Sequence, residues 1–300
     1  MNKLVLAGIA LTSLLAAGSA TAADMRLKAP PPPPPPTWTG FYMGANAGYG
    51  WRDNQQLVFT ANDPYAVQFL AGSLGLLGAH VGTPVVAPAN RLQGGFGGLQ
   101  AGYNWQVNPY FLVGVETDIQ GSSIHGNGTT ASLVVPPTLT GTITTEQRIR
   151  WFGTARARLG FLPTSNWLIY GTGGFAYGQI DENINVGFAG TFNQAVTTAI
   201  NGFGALCVIP GSPSAATCFN GASSRTASGW TAGGGTEWVV LPNFTVKAEY
   251  LYVRLGSGDS FNAVAQTVPG GGFLPSSFRA FWSTADFHTV RLGFNYKFPG

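Results

Sequence analysis

Gly40 to Arg52 reads G-F-Y-M-G-A-N-A-G-Y-G-W-R, and its odd positions Phe41, Met43, Ala45, Ala47, Tyr49 and Trp51 are apolar. The even positions Gly44, Asn46, Gly48 and Gly50 are small or polar. A period of two marks a β-strand with unlike faces, because successive side chains point to opposite sides of a sheet. One face suits lipid and the other a crowded or wet interior. The same phase returns in four further stretches. Leu99, Ala101, Tyr103 and Trp105 oppose Gly98, Gln100, Gly102 and Asn104, while Phe111, Val113, Val115, Thr117 and Ile119 oppose Gly114, Glu116, Asp118 and Gln120. Ile149, Trp151, Ala155, Ala157, Leu159 and Phe161 oppose Arg148, Arg150, Thr154, Arg156 and Arg158. Trp167, Ile169, Phe175 and Tyr177 oppose Tyr170, Thr172, Gly174 and Gly178.

Three more stretches alternate with even positions outward. Trp230, Ala232, Thr236 and Trp238 oppose Gly233, Gly235 and Glu237; Phe244, Val246, Ala248, Tyr250 and Tyr252 oppose Thr245, Lys247 and Glu249. Val290, Leu292, Phe294, Tyr296 and Phe298 oppose Arg291, Gly293, Asn295 and Lys297. The fold class expected is therefore all-β, an eight-stranded antiparallel transmembrane β-barrel, since single-chain barrels use an even number of strands. Ten residues tilted at about 45° climb roughly 24 Å, the height of an outer-membrane apolar band. Closure is required because an open sheet edge in lipid leaves backbone groups without partners.

Composition and connections agree. Only 9% of the 300 residues are charged, against roughly 25% in ordinary soluble domains. Aromatics reach 13%, yet mean hydropathy is only slightly positive, too low for a helical membrane protein. The net charge of +3 is too small and dispersed for nucleic acid. Short segments link strands two and three (Gln106 to Pro109), four and five (Leu162 to Ser165), and six and seven (Leu241 to Asn243). The other connections, at about residues 53–92, 121–145, 179–227 and 255–286, are long. Long–short alternation predicts long extracellular loops and short periplasmic turns. Tyr103, Trp105, Trp167, Trp238 and Phe298 all fall beside the short turns, where aromatic rings form an interfacial girdle.

Before the first strand, Lys3 and the apolar Leu4 to Ala17 precede the small residues Gly18 to Ala23. This pattern predicts a secretory signal peptide over residues 1–23, cleaved after Ala22 or Ala23. Pro30 to Pro36 is an unbroken proline run, expected as a stiff polyproline spacer within a periplasmic linker over residues 24–39. The barrel is expected over residues 40–298.

W-T-G-F-Y-M-G-A-N-A-G-Y-G-W (Trp38 to Trp51), G-G-L-Q-A-G-Y-N-W (Gly97 to Trp105), Glu116 with Asp118, and V-R-L-G-F-N-Y-K-F (Val290 to Phe298) together resemble a known family. It is the alphaproteobacterial outer-membrane immunogenic proteins, a porin-like family of OmpA-type small barrels. The resemblance spans the whole mature chain and implies a surface-exposed barrel with a structural or envelope-interaction role. It also implies outer-membrane lipid and lipopolysaccharide, the barrel-assembly machinery, and host or phage contacts through the loops as partners. Pro299-Gly300 after Phe298 depart from the family's terminal Phe, and the loops are longer than the family implies.

The inward faces predict a lumenal charge network of Glu116, Asp118, Arg148, Arg150, Arg156, Arg158, Glu237, Lys247, Glu249, Arg291 and Lys297. Adjacent strands bring acids opposite arginines, where bidentate contacts cross-link the interior. An eight-stranded interior is only just wide enough for side chains to fill it, so a plugged lumen is the first expectation and a narrow gated channel the second. Cys207 and Cys218, alone in an exported chain, read as a disulfide within one loop. No cofactor or metal is expected, since His80, His125 and His288 are scattered. Catalysis would need His125 with Ser122 or Ser123, or His288 with Asp286, to converge at the outer rim. None of these forms a recognisable motif, and the expectation is no enzyme. The Gly-rich pieces Gly94 to Gly98 and Gly171 to Gly174 precede no helix and fail the context of a phosphate loop.

Overall fold

The computed structural model describes residues 37–55, 57–64, 66–67, 80–82, 84–86, 90–135, 139–190, 215–256, 260–265, 276–282 and 284–298. The expected signal peptide, the proline run, Cys207 and Pro299-Gly300 lie outside the described residues. The strands are β1 (Gly40–Gln55), β2 (Leu57–Ala61), β3 (Val85–Val86), β4 (Asn90–Gln106), β5 (Phe111–Val135), β6 (Leu139–Thr164), β7 (Trp167–Gly190), β8 (Ala215–Leu241), β9 (Phe244–Leu255), β10 (Phe261–Ala265), β11 (Ser277–Trp282) and β12 (Ala285–Lys297). From β1 the hydrogen-bonded ladder runs through β4, β5, β6, β7, β8, β9 and β12 and returns to β1. These eight strands form a closed antiparallel ring.

Residues 107–110, 165–166 and 242–243 close one end with tight turns. At the first, the Asn108 side chain accepts the Tyr110 and Phe111 amides at 2.9 and 2.8 Å, the local bonding for which Asn is favoured in turns. The narrow ring also needs close strand approach. A Cβ on inward-facing Gly98 would lie 1.9 Å from the Ile119 carbonyl, and one on Gly44 would lie 2.1 Å from that of Phe294.

The outer wall carries the apolar set of the alternation. Leu99, Leu159 and Leu292 are 65%, 68% and 67% exposed, a disposition that water would penalise and lipid favours. Tyr103, Trp105, Trp238 and Phe298 are likewise exposed next to the tight turns. Trp167 joins them, stacked on Trp238 with centroids 6.4 Å apart. A second girdle, unforeseen in the sequence, rings the other end through Trp51, Trp151, Tyr177, Trp230, Tyr252 and His288.

The stretches expected as long loops depart most from expectation. β5 to β8 run 24 to 27 residues each, twice the 12 and 13 of β9 and β12. Residues 121–135 and 139–145 are paired strand, as are 179–190 and 215–227. β2 and β11 pair above β1 and β12, and β10 carries the ladder from β11 onto the upper end of β8. A sheet extension thus stands above the membrane. Its period-two pattern continues, but its outward residues are polar, as with Gln179, Asp181, Asn183 and Asn185 on β7. A template that requires an apolar outer face reads such strands as loop.

Two bulges mark where the barrel enters this extension. The register slips between Gly121 and Ile124 on β5 and between Ile149 and Trp151 on β6. A bulge puts two residues opposite one and can reverse the facing of what lies beyond it. On β6 the facing does reverse, so Ile149 turns inward and is fully buried, whereas β5 keeps its even residues inward through the slip and Ile124 is fully buried at its regular inward position.

Candidate functional site

The lumen is filled in layers. Nearest the tight turns, Trp38, Leu112, Leu162, Leu168 and Tyr170 form an apolar floor. Trp38, placed in the linker by the sequence, is 3% exposed and donates its indole N–H to the Ser165 carbonyl at 2.9 Å. Nearer the outer rim, a larger apolar layer includes Phe96, Ile124, Ile149, Phe152, Leu251 and Phe287. The rings of Phe96 and Phe287 meet Phe152 edge-on, each at 5.3 Å.

Between these layers lie Glu116, Asp118, Glu237, Glu249, Arg156, Arg158, Lys247 and Arg291, all buried. Four acids face four bases, so the layer is formally neutral. Strand register supplies the contacts: Glu116 is opposite Arg156, Glu237 opposite Lys247, and Glu249 opposite Arg291. Glu116 is the hub. It accepts from Arg156 at 2.5 Å, from Lys247 at 2.7 and 2.8 Å, from Arg158 at 3.2 Å and from Arg291 at 3.3 Å. Asp118 Oδ2 holds Arg291 at 2.8 Å and Arg156 at 3.0 Å. Glu249 takes Arg156 at 3.0 Å, Arg291 Nε at 2.5 Å and the Tyr170 hydroxyl at 2.9 Å. Lys247 thus leaves its cross-strand partner Glu237 to Arg158, which reaches it at 2.7 Å.

Residues that sequence reasoning missed complete the layer. Tyr42 donates to Glu116 at 2.8 Å and accepts from Arg158 at 2.5 Å. The Arg158 guanidinium lies 3.9 Å from the centre of the Tyr170 ring, a desolvated cation–π contact. Asn295 and Thr245 donate to Glu237 at 2.9 and 2.5 Å. Their signal was present, since Tyr42 and Asn295 occupy inward positions of alternating strands. An aromatic among glycines attracts little notice until its partner is known.

Three of the expected lumenal charges lie elsewhere. Arg148 and Arg150 are exposed on the outer wall, because the β6 bulge reverses the alternation that would have turned them inward. Arg150 pairs there with Asp181. Lys297, at the end of β12, stands at the periplasmic mouth and donates to the Thr37 carbonyl, because its inward position lies past the floor of the lumen. Cys218 is buried on β8 and is not a free thiol; Cys207 lies outside the described residues.

Of the residues weighed for catalysis, His125 contacts the Ser123 carbonyl at 2.8 Å rather than a hydroxyl. His288 meets the Tyr250 hydroxyl at 2.6 Å, while Asp286 is held by Arg52 and by Tyr252 at 2.9 Å. Each buried carboxylate is committed to cations. Among the described residues, no group of three His, Cys, Asp or Glu side chains is placed to hold a metal.

Above the membrane-spanning part of β7, Glu182 is 1% exposed, accepts from Gln147 at 3.1 Å and sits 3.5 Å from Arg225. Burial pushes its carboxyl above the usual range, opposed by the Arg225 charge and the Gln147 bond.

A family model and two sequence relatives agree with this architecture. The model of the outer membrane protein beta-barrel domain matches residues 9–298. The 31 kDa outer-membrane immunogenic proteins of Brucella melitensis and Brucella suis are each 34% identical, over 99% of this chain and all of theirs. Among solved structures, OprG of Pseudomonas aeruginosa is 11% identical with a TM-score of 0.41, covering 88% of this chain and 99% of its own. Ail of Yersinia pestis is 13% identical with a TM-score of 0.27, covering 84% and 99%. The closed ring, the lipid-suited outer wall and full-length similarity to the Brucella proteins lead to one assignment: the chain belongs to the outer membrane protein beta-barrel family and resides in the outer membrane.

Proposed function

We propose that this chain is a sealed structural barrel that supports envelope integrity and carries its extension outside the cell as a contact surface. The neutral, fully buried layer of four acids and four bases, closed on both sides by apolar layers, is the observation that supports this reading. A solute path would have to part the Phe96–Phe152–Phe287 stack and separate Arg156 and Arg158 from their carboxylates. Leaving one partner of such a buried pair uncompensated costs about 3–5 kcal/mol. No catalytic role is proposed, because the lumenal carboxylates Glu116, Asp118, Glu237 and Glu249 are each paired with a cation and the rim histidines bond to a carbonyl and a phenol. Lipopolysaccharide, the barrel-assembly machinery, and host or phage surfaces are the partners this reading implies.

A deletion strain tests the proposal. Loss of the chain is expected to raise sensitivity to a large antibiotic normally excluded by the outer membrane, and re-expression of the wild type to restore exclusion. A strain that instead loses uptake of a small nutrient while its envelope stays tight would overturn the structural reading in favour of a channel.

A further inference from the structure

The outer wall over β8, β9, β12 and β1 carries a groove of about 610 Å³ lined by Ala47, Tyr49, Gly234, Ala248, Tyr250 and Leu292. It lies on the lipid-facing side, where Ala47 pairs with Leu292 and Tyr49 with Val290. Its upper end is built from polar and aromatic groups. His288 stacks between Trp51 and Tyr250, with ring centroids 5.9 and 6.0 Å away, and its Nδ1 meets the Tyr250 hydroxyl at 2.6 Å. One step further out, Arg254 is exposed and pairs across the sheet with Trp230 on β8 and Asp286 on β12. Asp286 is already occupied by Arg52 and by the Tyr252 hydroxyl. Arg254 therefore has no ion pair of its own among the described residues, and the local charges leave one positive excess.

We infer that this face is a binding site for one phosphorylated lipid of the outer leaflet, with an acyl chain in the groove and its phosphate on Arg254 and the free edge of His288. Arg254 is diagonal to His288 across β9 and β12, and diagonal neighbours in a sheet are about 7–8 Å apart. That gap is spanned by a phosphate accepting from both. A guanidinium offers paired donors matched to phosphate oxygens, and the aromatic rim supplies the flat apolar walls that carry the first part of a lipid tail. A zwitterionic lipid fits the groove equally well, but its own cation would meet Arg254. The inference rests on the outer-membrane placement and names a partner for one face of it.

Native mass spectrometry of the refolded, full-length barrel, released from mixed micelles of lipid A and phosphatidylcholine, tests the site. Wild type is expected to retain one lipid A with about tenfold preference over phosphatidylcholine, and Arg254→Ala with His288→Ala to lose most of that preference, about 1.4 kcal/mol. Ala47→Leu, which fills the groove from an exposed position that already carries a Cβ, is expected to lose the bound lipid while still shifting on an unheated gel. Arg148→Ala, an exposed rim cation on β6, controls for general attraction and is expected to leave retention unchanged. Equal loss with Arg148→Ala, or retention unaffected by the Arg254 and His288 changes, would overturn the site. Failure of the wild type to shift on an unheated gel would instead count against the membrane barrel itself.

Discussion

Glu116 illustrates why buried charges in this barrel act together. It is encircled by Arg156, Arg158, Lys247 and Arg291 and by the Tyr42 hydroxyl, so its removal strands several cations in a space closed to water. Glu116→Gln is expected to destabilise the folded barrel by about 3–5 kcal/mol, read as a lower temperature for loss of the gel-mobility shift. Adding Lys247→Met should recover part of that loss, because it removes the cation bonded to both Glu116 oxygens. A double variant no more stable than Glu116→Gln would mean that Lys247 draws its compensation from other acids. Tyr42→Phe removes one donor to Glu116 and one acceptor from Arg158, and should cost about 1–3 kcal/mol in the same assay.

At the scale of the strand, the decisive feature is the bulge on β6, which turns Arg148 and Arg150 outward and Ile149 inward. Single cysteines at Arg148 and Arg150 should react with a membrane-impermeant thiol reagent on intact cells, whereas one at Ile149 should not. Regular alternation predicts the opposite pattern, so the experiment separates the two registers. The extension above the bulges also gives a pH effect. Burial raises the folded-state carboxyl of Glu182 above its ordinary value, so the folded extension binds a proton more readily than the unfolded chain does. Its contribution is favourable below the unfolded value and is lost as pH rises through the folded one. Glu182→Gln should therefore make the extension more resistant to protease at neutral pH, and the advantage should shrink on acidification. An advantage that grows on acidification would show that the Arg225 contact outweighs burial. The membrane-spanning strands were legible because each has an apolar outer face set against Gly, Asn, Arg or Glu. The extension was not, since polar residues outside and Thr, Gln and Ile inside carry no lipid signal. Nor were the bulges, because neither Gly121-Ser122-Ser123 nor Ile149-Arg150 contains a residue that demands one.

For the whole molecule, the layers within the lumen combine into a single claim. Most of the charge layer was readable, since a Glu or Arg on the inward face of an eight-stranded ring has nowhere to go but toward an opposite charge. The apolar layers were not, because Phe96, Phe152 and Phe287 look like ordinary strand residues until the ring brings three distant strands together. In the proposed reading, those layers turn a charged interior from a conduit into a seal. Conductance of the refolded protein in a planar bilayer tests this directly, with wild type compared against Arg156→Ala/Arg158→Ala. A silent wild type is predicted, and also a silent variant, because the Phe96–Phe152–Phe287 layer and the Trp38 floor persist when the arginines are gone. Discrete current steps from the wild type, enlarged in the variant, would contradict the sealed barrel and make the arginine layer the constriction of a pore.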